Sequence, residues 1–341
     1  MKSAELVETP AEQRGSGPRM KRAAQWARNA GPLAALILLT ILGVVLNPSF
    51  LSWNNISNVL TRSAFTGIIS VGGTFVIVTG QIDLSVGAMA AFIASLMIIV
   101  MNQFADAGWS LPVAVAVGML IGLLVGLLSG LVNGLLATLG KIDSFIVTLG
   151  TMGIFRSLVT FVANGGTLTL DSNIREVYRP VFYESWLNIP IPVWVLGVVV
   201  VAGAVVLAKT RFGRYCRAVG SNAEVAHYSA IHVNRIRVIA FILQGFCVGL
   251  ATLLYVPRLG SASSSTGLLW ELEAITAVVV GGTALRGGSG RVSGSIIGAL
   301  ILTLIGNILN LTNIISVYLN GAVQGAIILG AALLQRNSRT R

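Results

Sequence analysis

Charged residues are so sparse along this chain that the intervals between them read as structural elements. Charge-free stretches cover 29–61, 63–82, 84–105, 107–140, 185–208, 238–257 and 292–335. A helix crosses the ~30 Å hydrocarbon core of a bilayer with about 20 apolar residues. Each of the first six stretches holds one span, and the 44-residue stretch 292–335 holds two. Two interrupted segments, 144–163 around Arg156 and 271–285 opening on Glu271 and Glu273, bring the number to about ten. The pattern predicts spans at 31–46, 64–79, 86–101, 112–138, 144–163, 192–208, 238–256, 271–285, 294–311 and 317–334. The fold class expected is an all-α polytopic membrane protein. Residues 1–30 read as a disordered polar tail that lacks the cleavage site of a signal peptide, and 335–341 as a second tail. Between them lies a membrane domain, 31–334, whose longest internal loop on one side is 209–237.

Composition narrows the classes. Only 10% of residues are charged, 55% are hydrophobic and the mean hydropathy is +0.84. A soluble domain carries ~25% charge, so an ordinary soluble enzyme is excluded, and so is a nucleic-acid binder despite a net charge of +11. The basic residues explain that charge. With the N-terminus inside, 18 of the 23 fall on the cytoplasmic side and four (Arg62, Arg175, Arg179, Arg258) outside, with Arg156 in a span. Positive-inside bias then places both termini in the cytoplasm, with the basic residues facing anionic lipid headgroups. Cys216 falls in the 209–237 loop and Cys247 in a span, so no disulfide framework is expected.

Two internal echoes stand out. Gly118, Gly122 and Gly130 recur as Gly294, Gly298 and Gly306 (294 − 118 = 176), with Asn133 and Asn310 following at nearly the same phase. These glycines lie in the fourth and ninth spans, five apart, which would give the two copies opposite topology. Inverted repeats of this kind are frequent in transporters, while small residues also simply let helices pack closely in lipid. The second echo is an acid opening an apolar helix, Asp83 before Leu84-Ser85-Val86-Gly87 and Glu273 before Ala274-Ile275. A carboxylate there suits the positive end of the helix dipole, and Ser85 with Gly87 points to a tight entry or a broken helix.

The missing chemistry is as informative. The sequence holds no G-x-x-x-x-G-K-[ST] and no H-E-x-x-H, and neither His227 nor His232 has a second ligand at metal-binding spacing. No cofactor or metal is expected. Asp83, Arg156, Glu271 and Glu273 are the intramembrane ionisable residues, which by default mark functional positions. Arg156 either pairs with an acid on another span or snorkels to the outer face. Acids at helix starts argue against ion coupling.

The segment 209–237 is built for a partner. Ser221-Asn222-Ala223-Glu224 fits a capping box, S-x-x-E, opening a helix of two to three turns that ends near Ile231 or Val233. Ala223, Ala226 and Ala230 form a small-residue stripe on it, with Glu224, His227 and flanking arginines such as Arg214 for polar register.

From about residue 31 to 334 the chain resembles the membrane permease subunits of ribose/galactose/xylose-type ABC sugar importers. The resemblance rests on four ordered signatures. They are Gly80-Gln81-Ile82-Asp83-Leu84-Ser85-Val86-Gly87, Phe145-Ile146-Val147-Thr148-Leu149-Gly150-Thr151 with Ile154-Phe155-Arg156, and Ala218-Val219-Gly220-Ser221-Asn222 through Ile231. The fourth runs from Glu271-Leu272-Glu273-Ala274-Ile275 to Gly281-Gly282-Thr283 and Gly287-Gly288-Ser289-Gly290. It implies ten spans in two inverted five-helix halves, some helices broken or short. The permease would be no enzyme itself and would work as a dimer, the second subunit expected to be a copy of itself. A sugar would come from an extracytoplasmic binding protein, and a separate ABC ATPase would drive transport. Arg214, Ser221, Asn222, Glu224, Ala226, Ala230 and Ile231 would couple to that ATPase. Asp83, Ser85, Asn133, Arg156, Glu273, Asn307, Asn310 and Gln324 would line the pathway. Three positions depart from the family: Ala230 stands where Gly is common, Gln81 where Gly is frequent, and Glu273 where Asp is common. A branched-chain amino-acid permease, an ion-coupled carrier, and an intramembrane hydrolase using Ser85 stay open as alternatives.

Overall fold

The computed structural model describes residues 18–312 together with 319, 321–323, 325, 326 and 330, with backbone alone over 18–30. The described residues form a helical bundle with two very short strand pairs. In chain order the helices are α1 (Pro18–Leu46), α2 (Trp53–Val78), α3 (Val86–Asp106), α4 (Leu111–Leu139), α5 (Ser144–Val162), α6 (Ser172–Tyr178) and α7 (Pro180–Tyr183). They continue as α8 (Ile191–Lys209), α9 (Arg211–Ser221), α10 (Ala223–Tyr228), α11 (Val233–Leu259), α12 (Trp270–Val280) and α13 (Val292–Thr312). Seven of these, α2, α3, α4, α5, α8, α11 and α13, are long and apolar enough to cross a membrane, and Gly31–Leu46 of α1 adds a shorter apolar stretch. The chain is a multi-pass, all-α membrane protein.

Three expectations need correction. Helix α1 starts at Pro18, inside the expected disordered tail, because proline suits a first helical position and the next twelve residues are rich in Ala, Arg, Lys and Met. The expected span 271–285 is an 11-residue helix, about 16 Å long, stopped at Val280 by Gly281 and by Gly282 at φ +92°. The loop 209–237 is largely helical. The tenth span, 317–334, and the tails 1–17 and 335–341 lie outside the described residues, apart from the isolated positions above.

Glycine decides which helices touch. Along the α4–α11 seam, a Cβ on Gly126 would meet the Gly245 carbonyl, and one on Gly245 would meet the Gly126 carbonyl. Gly130 abuts Phe241 and Gly134 abuts Val238 in the same way. Such backbone contact maximises dispersion between helices whose alternative neighbour is lipid. The echoed glycines behave alike in pairs. Gly118 and Gly122 seat Met101 and Met97 of α3, while Gly294 and Gly298 seat Gly281, just after α12, and Ala277 within it. Gly306 has nothing within 4 Å. Helix α12 runs alongside α2, with Thr66 opposite Glu273 and Ser70 opposite Ala274, and therefore opposite to α3. Helix α4 packs on α11, and α13 packs on α2 through a 2.7 Å Thr74–Ser295 hydroxyl pair. Each glycine helix thus lies against its own short-entry helix and against a helix of the other half, the exchange expected of two halves of opposite topology.

Thermal unfolding in detergent tests the seam. Gly245→Ala is expected to destabilise the bundle by the ~1–3 kcal/mol of overpacking and so lower the midpoint. Gly150→Ala, with no atom within 4 Å of the added methyl, is expected to leave the midpoint unchanged or raise it slightly. Equal midpoints for both variants would contradict the close approach.

Candidate functional site

Between α2 and α3 the chain leaves the helix. Gly80 (φ +78°) follows the end of α2, residues 81–85 are non-helical, and α3 begins at Val86. Unpaired backbone is tolerated at membrane depth only where protein buries it. Asp83 does part of this work: one carboxylate oxygen accepts the Ser85 backbone N–H at 2.9 Å and the Ser85 hydroxyl at 2.7 Å. Asn133 of α4 donates its amide to the Ser85 oxygen at 2.8 Å, and the Ile82 N–H donates to the Ser144 hydroxyl at 3.1 Å, where α5 begins. Asp83, Ser85 and Asn133 are all buried. They tie the broken entry of α3 to α4 and α5, and the Ser85 hydroxyl proton is engaged by Asp83. His227 on α10 and His232 just before α11 are both exposed at the far end of the bundle, so neither serves Ser85 as a base.

Helix α12 has a matching entry. After Gly260 (φ +64°) the strand Ser261–Ala262 pairs with Leu168–Thr169, and Leu269 takes φ +68° just before the helix. Arg156 on α5 donates to the Ser264 and Thr266 carbonyls. These two bonds clamp the entry strand of α12, and the guanidinium also lies within electrostatic reach of Glu271. The clamp brings Gly267 against Gly87: a Cβ on either residue would run into the other's carbonyl or, at Gly87, into the Glu271 carboxylate. Two helix N-termini therefore meet inside the bundle. Their positive dipole ends face Asp83, Glu271 and Glu273.

Beside this junction, away from the α9–α10 end, lies a cavity of about 400 Å³ between α2, α11, α12 and α13. Glu273 and Asn310 line it; Thr66 donates to Glu273 at 3.5 Å. Asn307 instead exchanges two amide hydrogen bonds with Asn55, at 2.7 and 3.1 Å, which fastens α13 to α2. Gln324 lies outside the described residues.

At the opposite end α9 turns Gly213, Cys216 and Val219 inward and leaves Arg211 and Arg214 exposed. Phe212 stacks on Phe75 at 5.9 Å. Burial pushes the Cys216 thiol up to about 12, so it packs as a small apolar group. The expected capping box does not form. Ser221 closes α9, and Asn222 caps α10, its side-chain oxygen accepting from the Glu224 and Val225 N–H groups at 3.0 Å each. A six-residue α10 ends at Tyr228, short of Ile231, because Ala230 adopts φ +60°. The three alanines do not share one outward face: Ala230 is exposed and Ala223 partly so, while Ala226 is buried against the body with Ile231 beside it, since an alanine is the side chain that fits so close an approach. What α10 presents is Glu224, Val225 (59% exposed), His227 and Tyr228 (79% exposed).

One joint links this segment to the bundle. The Gly288 N–H donates to the Val78 carbonyl at 2.9 Å, and Gly220 lies so close that a Cβ would collide with that carbonyl. The last turn of α9, the end of α2 and the loop after α12 therefore meet backbone to backbone.

Residues 55–332 match the family described as branched-chain amino acid transport system / permease component. The chain belongs to this permease family. It is 42% identical over 308 residues to the ribose import permease protein RbsC of Bacillus subtilis, covering 90% of this chain and 92% of that one. It is 38% identical over 304 residues to RbsC of Haemophilus influenzae (89% and 91%). It is 37% identical over 323 residues to the probable ABC transporter permease protein YphD of Escherichia coli (92% and 94%).

In this permease, Asp83, Ser85 and Asn133 come together, Glu273 and Asn310 share the cavity, and Arg156 stands apart at the entry of α12. The reading of the sequence missed Val225, Tyr228 and the Gly220 joint as functional candidates. A strong apolar residue three before another polar-flanked aromatic on a short capped helix was the available signal for the first two.

Ala230→Gly relieves a left-handed alanine that costs ~1–2 kcal/mol and is expected to slow amide exchange over 223–231 about fivefold. Asn222→Ala removes the cap, worth ~1 kcal/mol, and is expected to speed exchange by a similar factor. Hydrogen exchange in detergent measures both, and identical rates would refute the cap and strain assignments.

Proposed function

We propose that the chain is the translocating permease of an ABC importer for a ribose-like monosaccharide. The observation that carries this is extended similarity, over about nine-tenths of the chain, to proteins named as ribose import permeases. The I-D-L-S-V-G run at 82–87 supports the sugar reading over a branched-chain amino-acid one.

On this reading the membrane domain is 31–334, both termini lie in the bacterial cytoplasm, and the α9–α10 end faces it, as the bias in basic residues favours. A binding protein delivers sugar at the opposite end, and a second permease subunit, a copy of this chain, completes the pathway. With no phosphate-binding loop of its own, the permease draws on a separate ATPase that docks on α10. Glu224, Val225, His227 and Tyr228 offer the contact, and Arg214 on α9 adds charge. Ser221, Asn222, Ala226, Ala230 and Ile231 shape and seat the helix, and Gly220 passes its displacement to α2 and to the loop before α13. Asp83, Ser85 and Asn133 with Arg156 set the two broken entries, Glu273 and Asn310 line the pathway, Asn307 fastens α13 to α2 beside it, and Gln324 contributes a further polar group to the pathway.

Proteoliposomes holding the permease, its ATPase and its binding protein test the reading. ATP-dependent accumulation of labelled ribose is expected, and accumulation driven by an ion gradient without ATP would refute it. Glu224→Lys is expected to leave membrane insertion intact while cutting uptake to about a tenth or less, a loss of ~1.4 kcal/mol or more of coupling. Asp83→Asn is expected to reduce uptake without loss of insertion.

A further inference from the structure

The cavity between α2, α11, α12 and α13 has a wall the transport reading does not itself specify. Trp270 and Tyr255 both line it and meet edge to face, with ring centroids 4.9 Å apart and planes at 79°. Phe65, also in the lining, meets Tyr255 edge to face at 4.9 Å and 74°. Trp270 and Tyr255 are half-buried, so ring surface remains toward the cavity. Arg258 is held over the Tyr255 ring, its guanidinium carbon 5.7 Å from the centroid, so the aromatic wall also fixes a cation in place. Arg62, Thr66, Glu273, Thr303 and Asn310 complete the polar lining.

The chemistry of this set is specific. Arginine only donates hydrogen bonds, an ionised glutamate only accepts, and asparagine does both. A sugar hydroxyl is at once donor and acceptor, and a sugar ring presents an apolar C–H face. A volume of about 400 Å³ falls in the ~300–1,000 Å³ of small-molecule sites. We propose that this cavity is a monosaccharide-holding site within the permease, in which Trp270 and Tyr255 support the ring's C–H face while Arg62, Arg258, Glu273 and Asn310 bond its hydroxyls. The proposal rests on the sugar-import reading above and deepens it. The site sits beside the Gly87–Gly267 junction, because Trp270 and Glu273 belong to the first turn of α12 that this junction positions. Any movement of α12 relative to α3 therefore reshapes the wall, which gives the site a means of releasing what it holds.

The test uses the reconstituted importer with its ATPase and binding protein, and labelled ribose as probe. Trp270→Leu is expected to lower uptake about tenfold while hydrolysis stimulated by the loaded binding protein stays within about twofold of the parent. Trp270→Phe, which keeps a ring, is expected to recover uptake to within about threefold of the parent. Uptake by Trp270→Leu equal to the parent overturns the site and leaves the importer reading intact. If Trp270→Leu fails to reach the membrane, Glu273→Gln, nearly isosteric, takes its place: about a fivefold loss of uptake supports the site, and no loss overturns it. Import of leucine rather than ribose by the parent vesicles overturns the sugar-import reading and this proposal with it.

Discussion

Two helices that begin inside the bundle instead of at its surface must have their first-turn N–H groups and entry strands covered by protein, since lipid offers no hydrogen bonds. The meeting of Gly87 and Gly267 is where this constraint is met. Residues 81–85 are covered by Asp83, Ser85, Asn133 and Ser144, and the strand before α12 by Arg156. Two positive dipole ends are brought face to face, and Asp83, Glu271 and Glu273 place carboxyl oxygens, the groups that suit such ends, at them. Because the two N-termini meet backbone to backbone, a shift of either entry is felt at once by the other.

The two halves are bound by exchange. Helix α4 of the first half lies on α11 of the second, and α13 of the second on α2 of the first, with carbonyls where side chains would otherwise stand. Packing this close has few intermediate positions, so displacement at one end is carried as a shift of whole helices rather than absorbed by side chains. The joint of Gly220, Val78 and Gly288 places the exposed α9–α10 segment in contact with that rigid body. The aromatic and charged cavity lies on the other side of the same α12 helix, which connects the two ends of the molecule through one 11-residue element.

Much of this was legible in the order of residues. A bilayer accepts only runs of apolar residues long enough to cross it, so charge-free stretches announced the long helices, and the glycine register at 118, 122, 294 and 298 announced which faces pack closely. The I-D-L-S-V-G run announced a broken entry, because Asp and Ser compete for backbone N–H groups at a helix start. These are local or periodic properties, and the sequence by itself determined them. What only the tertiary structure decided was pairing and direction. The interactions of Asn307 with Asn55, Arg156 with the Ser264 and Thr266 carbonyls, and Asn133 with Ser85 join residues far apart in the chain, which no spacing encodes. The outward face of α10 was decided the same way: Ala226 turned inward because the body offered it a close fit, and that left Val225 and Tyr228 at the surface. Periodicity states that a helix has faces, but only the neighbours that cover one of them settle which is free.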